Sequence, residues 1–419
     1  MKRNRGINRR LPSAFIVTAA LGLATLSSQG AHAKPKEAAS SAASASAAFR
    51  TAAAAAHTSL AANDLAGART AISGLAPASA LETYLAASLR MDLAVRSNDT
   101  ASQRKALADM LGSGAMPAGQ EGYLRYLAGY AALQAGASDE GIDQLQRARA
   151  LGQTDPHVSL LLVDAYLRRK RPDDAISLLQ ETIDKQRAAG QAVPVTWYDR
   201  GASLAFNRKN WPQLARFYAG RLTEKPTPGD WRTATSSYIF GAAPDKEAQL
   251  DLIRLQAATG ALASERDVQN YATLAAGQGY SAEAKTVIEA GRSNGELSAV
   301  DPVTKPLLAS LAPKAVKNLA ALKTLPGRSA LATGGQAAAD SGDALLANAQ
   351  YAEAVPFYRA ALTKGGVDAS RVNTRLGIAL ARSGDLQGAQ AAFAQAKGPW
   401  ADVAAYWNAW VVNQVPAKR

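Results

Sequence analysis

Between Ser370 and Val403 the apolar positions fall at intervals that describe two antiparallel helices. Leu376-Gly377 and Leu380 share one helical face, and Ser383-Gly384-Asp385 ends it as a turn. Ala389, Phe393 and Ala396 then form the inward stripe of a second helix, which Pro399 closes. Small residues stand where two helix backbones must approach closely, and large ones fill the space between. Tracking the central small residue backwards from Ala389 gives Ala354, Ala320, Ala284, Ala248, Leu214, Ala175, Gly141, about Ala106 and Ala68, at separations of 34 to about 39 residues. The pattern therefore predicts one helical hairpin repeated along the chain. Leu127-Ala128-Gly129, a turn at Gly136, then Gly141, Leu145 and Ala148 make one clear copy; Leu162-Val163, Tyr166, a turn at Lys170-Arg171-Pro172, then Ala175 and Leu179 make the next. Trp197 and Trp231, 34 residues apart, start two further units at equivalent places.

The spacing of Leu376, Gly377, Leu380, Ala389, Phe393, Ala396 and Pro399 resembles the tetratricopeptide (TPR) pattern W-x2-L-G-x2-Y, A-x3-F, P at every place except the first, where Asn373 stands instead of Trp. The resemblance implies an all-α fold, a right-handed superhelical array (α-solenoid) of about ten TPR-like hairpins over residues 49 to 413. It also implies a protein that binds partners without chemistry of its own, the first helix of each pair lining a concave groove. Some relatives grip peptide carboxylates with Lys and Asn on successive first helices; no such set stands here, so that specificity is not carried over.

Organisation follows from where the pattern holds. Residues 49–298 and 335–398 read as repeats. Residues 299–334 carry Pro302, Pro306, Pro313 and Pro326 and read as a degenerate repeat or a joint with short or kinked helices. Residues 399–414 form an amphipathic helix with Trp400, Val403, Trp407, Trp410 and Val411 on its apolar stripe, expected to cap the last repeat.

Composition changes the picture mainly at the N-terminus. The formal charge of +13 suggests nucleic acid until Lys2, Arg3, Arg5, Arg9 and Arg10 are set aside, leaving about +8. Those five precede an apolar run from Ala14 to Leu26 and an Ala31-His32-Ala33 cleavage site, so residues 1–33 read as a Sec-type secretory signal; Pro12 argues against a twin-arginine signal. Residues 34–48 are an Ala/Ser-rich flexible segment. The expected location is the bacterial periplasm, which disfavours nucleic acid as a partner and leaves membrane contact to a partner. Cysteine is absent, excluding disulfides, thiol nucleophiles and cysteine-ligated metals.

Candidate chemistry is sparse. Gly291-Arg292-Ser293-Asn294-Gly295 matches G-x-S-x-G, but a nucleophile elbow needs a strand before it and a helix precedes this one. No histidine pair has metal-ligand spacing and no phosphate loop occurs, so no catalysis and no cofactor are expected. Binding is the better reading. Tyr123, Tyr126 and Tyr130 share a face that Leu127 and Gly129 leave free, and Arg168 and Arg169 begin a basic turn repeated at Arg208-Lys209. These residues are the candidates for contact with a protein or peptide partner or with an anionic envelope polymer. The expected function is a periplasmic protein–protein interaction scaffold; the alternative is a TPR component of an envelope polysaccharide synthesis or export apparatus.

Overall fold

A computed structural model describes residues 44–415. The basic and apolar run of residues 1–33 and most of the Ala/Ser segment lie outside the described residues. Within them the chain forms helices and no strand. The first six pairs are α1 (Ala47–Ala61) and α2 (Leu65–Ser73), α3 (Ala80–Arg96) and α4 (Thr100–Gly112), α5 (Glu121–Gln134) and α6 (Ser138–Ala150), α7 (Pro156–Arg168) and α8 (Pro172–Ala188), α9 (Val195–Asn207) and α10 (Trp211–Arg221), and α11 (Pro228–Ala242) and α12 (Lys246–Ala258). Then follow α13 (Glu265–Gly277) and α14 (Ser281–Ser293), α15 (Thr304–Leu322) and α16 (Leu325–Leu331), α17 (Gln336–Ala347) and α18 (Tyr351–Lys364), α19 (Ala369–Ser383) and α20 (Leu386–Phe393), and a last single helix, α21 (Pro399–Gln414). The chain is an all-α solenoid: consecutive helices pack together, and first helices of neighbouring pairs touch, as α1 on α3, α5 on α7 and α17 on α19.

Two local devices make the hairpins. At the turn, a residue with left-handed backbone is followed by a side chain that caps the second helix: Asn63 then Asp64, Asn98 then Asp99, Lys209 then Asn210, Gly384 then Asp385. Each cap accepts a backbone N–H three residues on, satisfying one of the donors a helix start leaves open. Between the helices, a glycine on the first faces a large side chain sixteen positions later on the second, as in Gly129 with Leu145, Gly201 with Phe217, Gly342 with Tyr358 and Gly377 with Phe393. A Cβ at Gly377 would stand 2.4 Å from the Phe393 ring, so these glycines are required by close approach. Leu376, Leu380, Ala389, Phe393 and Ala396 are all buried, whereas Pro399 is exposed at the start of α21.

The predicted period of buried small residues runs through the fold with one correction. Ala68, Ala106, Gly141, Ala175, Leu214, Ala248, Ala284, Ala354 and Ala389 are buried, but Ala320 is exposed. It lies on α15, which at 19 residues is longer than any other helix described. Pro306 falls in its first turn, where a missing N–H costs nothing, and Pro313 removes a single interior hydrogen bond. The stretch expected to give short or kinked helices thus resolves into one long helix and the short α16. α15 packs chiefly on α14, and α16 packs on α17.

The array also closes on itself. One buried cluster joins residues 133–261 directly to residues 325–411, while α13 to α15 share a separate cluster around Leu250, Tyr271, Ile288 and Leu311. The chain leaves α12, runs out through α13–α15, and returns so that α19 and α21 lie against α10 and α12. The helix expected to cap the last hairpin does contact α19 and α20, and it also docks on the middle of the array. Trp407 is fully buried and its indole N–H donates to the Asp251 carbonyl at 3.0 Å; Asn413 donates to the Leu222 carbonyl at 2.7 Å.

Candidate functional site

The C-terminal first helices show how this scaffold grips a helix. Arg371 and Arg375 on α19 reach α12 directly, and Asp343 on α17 accepts from Arg375. Arg375 is 1% exposed; its Nε donates to Asp251 at 2.9 Å and its Nη1 to Asp343 at 2.7 Å. Arg371 donates to Glu247 at 2.7 and 3.0 Å. Asp251 in turn accepts from Arg254 at 2.6 Å, and Arg254 forks onto Glu283 at 2.8 and 2.6 Å. Tyr271 donates to Glu283 and Tyr358 to Asp343, each at 2.8 Å. Burial alone would lower the Arg375 guanidinium, but Asp251 and Asp343 outweigh it and hold it well above the usual range. These residues were not singled out in the sequence because the pairing partners lie 124 positions apart. A charged residue beside the Leu376-Gly377 packing step was the available signal.

That grip defines a register for the inner face. Arg371 stands six positions before the packing glycine Gly377, and Asp343 one position after Gly342. On α5, Tyr123 stands six before Gly129 and Tyr130 one after it, so Tyr123 takes the place of Arg371, which holds α12, and Tyr130 the place of Asp343, which accepts from Arg375. His157 and Val195 take the first of these places on α7 and α9, and both are exposed. The three tyrosines are half-buried; Tyr123 and Tyr126 are 5.9 Å apart between ring centroids, and Tyr126 meets the His157 ring edge-on at 6.3 Å. Burial, then the neighbouring Tyr126, pushes the Tyr123 hydroxyl up to about 12, and burial, then Asp155, raises Tyr126. The Tyr123 and Tyr126 hydroxyls are therefore neutral; that of Tyr123 is itself buried, and both rings pack in part on the core beneath α5 rather than standing wholly free of it.

The basic turn is arranged differently. Lys170 and Lys209 sit at equivalent left-handed positions, and Lys170, Arg171 and Arg208 line one shallow hollow with Asp173 and Asp174. Arg168 donates to the Leu133 carbonyl at 3.1 Å, at the end of α5. Arg169 pairs with Asp139 at 2.8 Å, Arg171 with Asp174 at 2.8 Å, and Arg208 forks onto Asp173 at 3.1 and 2.9 Å. Arg168 and Arg169 thus clasp neighbouring hairpins at the turn end of α7, Arg168 on a carbonyl about one helical turn beyond Tyr130. Exposed pairs of this kind contribute little stability each. Ser293 of the G-x-S-x-G match is in the last turn of α14, with Gly291 packed on Val268 and Gly295 in a left-handed turn. Among the described residues no cluster of His, Asp or Glu has the arrangement of a metal site.

No protein-family model matches the chain, and no curated protein sequence matches it. Two solved structures are similar to it: the TPR2AB-domain:pHSP90 complex of yeast Sti1 (14% identity, 70% of this chain and 99% of that chain, TM-score 0.24), and Naa15/Naa10 bound to HypK-THB (13% identity, 84% of this chain and 65% of that chain, TM-score 0.30). The class rests on the hairpins themselves. Glycine-to-large packing sixteen residues apart, the capped left-handed turn and the period of buried small residues make the chain a TPR-like helical-repeat protein.

Proposed function

We propose that this chain is an exported, non-catalytic interaction scaffold that takes a segment of a partner protein along the inner face of α5, α7 and α9. The observation that carries the reading is the register: Tyr123 stands where Arg371 stands in the hairpin that holds α12, with Tyr130 on the same side of its helix. The C-terminal inner face is filled by the chain's own α12, whereas the α5–α9 row is at least partly exposed. Tyrosine suits this role because it offers a large contact with a hydroxyl handle and little rotamer entropy to lose. Changing Tyr123, Tyr126 and Tyr130 together to Ala should weaken partner capture by about 2 kcal/mol or more, as loss of interface anchors commonly does. Far-UV melting of the same variant should fall only modestly, since the rings are half-buried rather than enclosed. Untouched capture would place the binding face elsewhere, and a collapsed melt would assign the rings to the core.

Export rests on the basic run, apolar stretch and Ala31-His32-Ala33 of residues 1–33. N-terminal sequencing of the protein from cell envelope fractions should find a chain beginning near Lys34; one still beginning at Met1 overturns the periplasmic assignment.

A further inference from the structure

α15 is the longest helix of the array and among its least covered. Its 19 residues contribute only Thr304, Leu311 and Ala315 to the fully buried set. Leu307, Leu308 and Leu322 are partly buried beside them, and Asn318 accepts the Ser281 N–H at 3.1 Å, which fixes the helix on α13 and α14. That seating determines which side faces out. The outer side carries Ala309, Pro313, Val316, Leu319 and Ala320, and the loop before it exposes Val300 and Val303. Val300 is 73% exposed, Val316 68%, Leu319 50% and Val303 47%. Exposed aliphatics in such number on one helix and its leading loop are unusual on a surface that meets only water.

Charge gives the second, independent observation. Lys305, Lys314, Lys317 and Lys323 are exposed around this apolar side, and none forms an ion pair among the described residues. No Asp or Glu occurs between Pro302 and Ala339, and Asp301 in the leading loop is buried, accepting the Thr304 N–H at 2.7 Å. Elsewhere the array interleaves its charges, as Arg169 with Asp139 and Arg208 with Asp173. A helix with an exposed apolar stripe, a lysine rim and no exposed acid matches a flat anionic apolar boundary rather than a groove-seeking peptide. Lysine stems can lie along the apolar stripe while their ammonium groups reach phosphates.

We propose that the outer face of α15, with the Val300–Val303 loop, docks on an anionic phospholipid surface, its aliphatic side chains entering the headgroup boundary and its lysines meeting lipid phosphates. This differs from the expectation that membrane contact comes only through a partner, and it is independent of what occupies the tyrosine row. No helix described is long and apolar enough to cross a membrane, so the contact is peripheral. The test is co-sedimentation of the protein, as purified from cells, with vesicles containing phosphatidylglycerol and with pure phosphatidylcholine vesicles, at low and high salt. Binding should favour the anionic vesicles and weaken with salt. Each juxtamembrane lysine contributes about fivefold in affinity, so Lys314→Gln, Lys317→Gln and Lys323→Gln together should cost about a hundredfold. Val316→Ser with Leu319→Ser should cost about tenfold or more with an unchanged melt, because both side chains are exposed. Variants keep the parent N-terminus, so binding through Ala14–Leu26 would leave them equal to the parent and overturn the proposal. It is equally overturned by indifference to lipid charge, or by loss on lysine removal with full affinity in the Val316/Leu319 variant, which would make the face a site for an acidic protein.

Discussion

Replacing Arg375 with Met removes the guanidinium that ties α19 and α17 to α12 while keeping a side chain of similar reach. In the parent, Arg375 is 1% exposed and donates to Asp251 and Asp343, which are also buried. After the change Asp251 keeps Arg254 at 2.6 Å, and Asp343 keeps the Tyr358 hydroxyl at 2.8 Å with Arg371 no nearer than 3.7 Å. Two buried carboxylates lose a charged donor together, and breaking a buried pair from one side typically costs about 3 to 5 kcal/mol. Because each acid retains one donor, the lower end applies, about 3 kcal/mol. Long arrays do not unfold as one unit, so the readout is local: hydrogen exchange followed by mass spectrometry. An opening easier by that amount should lower protection in α12, α19 and α21 about a hundredfold and leave α3 to α6 unchanged. Adding Asp343→Asn, which leaves an acceptor for Tyr358 and removes one stranded charge, should restore part of the loss. Unaltered protection in α12, or a uniform loss along the whole chain, would refute the idea that this network closes the array.

Two further outcomes follow from the geometry. Gly377→Ala should destabilise the last hairpin by about 1 to 3 kcal/mol in urea melts, since the new Cβ meets the Phe393 ring at 2.4 Å, while Gly112→Ala, which meets nothing within 4 Å, should not. Asp402 accepts from Tyr238 at 2.7 Å, and burial raises its carboxyl above the ordinary range despite that bond. A raised carboxyl favours the fold most when protonated, a contribution lost as pH rises through its folded value. Asp402→Asn should therefore melt higher than the parent at neutral pH, with the difference closing in acid; a difference that grows in acid would contradict the assignment.

The hairpins were legible in the chain because every interaction that makes them is short-range. Gly377 and Phe393 are separated by a single turn, and Asp385 caps the helix it begins, so spacing alone locates them. Proline-based reasoning misjudged α15 because two of its prolines were read as breaks, whereas Pro306 lies where it is tolerated and Pro313 costs one bond. Ala320 kept the repeat spacing but lost its neighbour, since α15 turns a different side to the array. The docking of α21 was not legible: its apolar stripe announces burial, but Leu222, Ala234 and Asp251, which it meets, lie more than 150 positions earlier. Within the candidate site, the tyrosine stripe could be read from helical spacing, and its equivalence to Arg371 and Asp343 emerged only once the C-terminal inner face was seen to hold α12.

The central claim is that the face open to a partner lies on α5, α7 and α9 because the chain itself fills the corresponding C-terminal face. Site-specific photo-crosslinking in cells tests it most directly, with a photoreactive residue placed at Tyr126, at Val195 or at Phe240, whose ring is 82% exposed on α11 away from the tyrosine row. The same partner polypeptide should be joined at Tyr126 and Val195 and none at Phe240. Adducts at Phe240 alone, or equal adducts at all three positions, would contradict it.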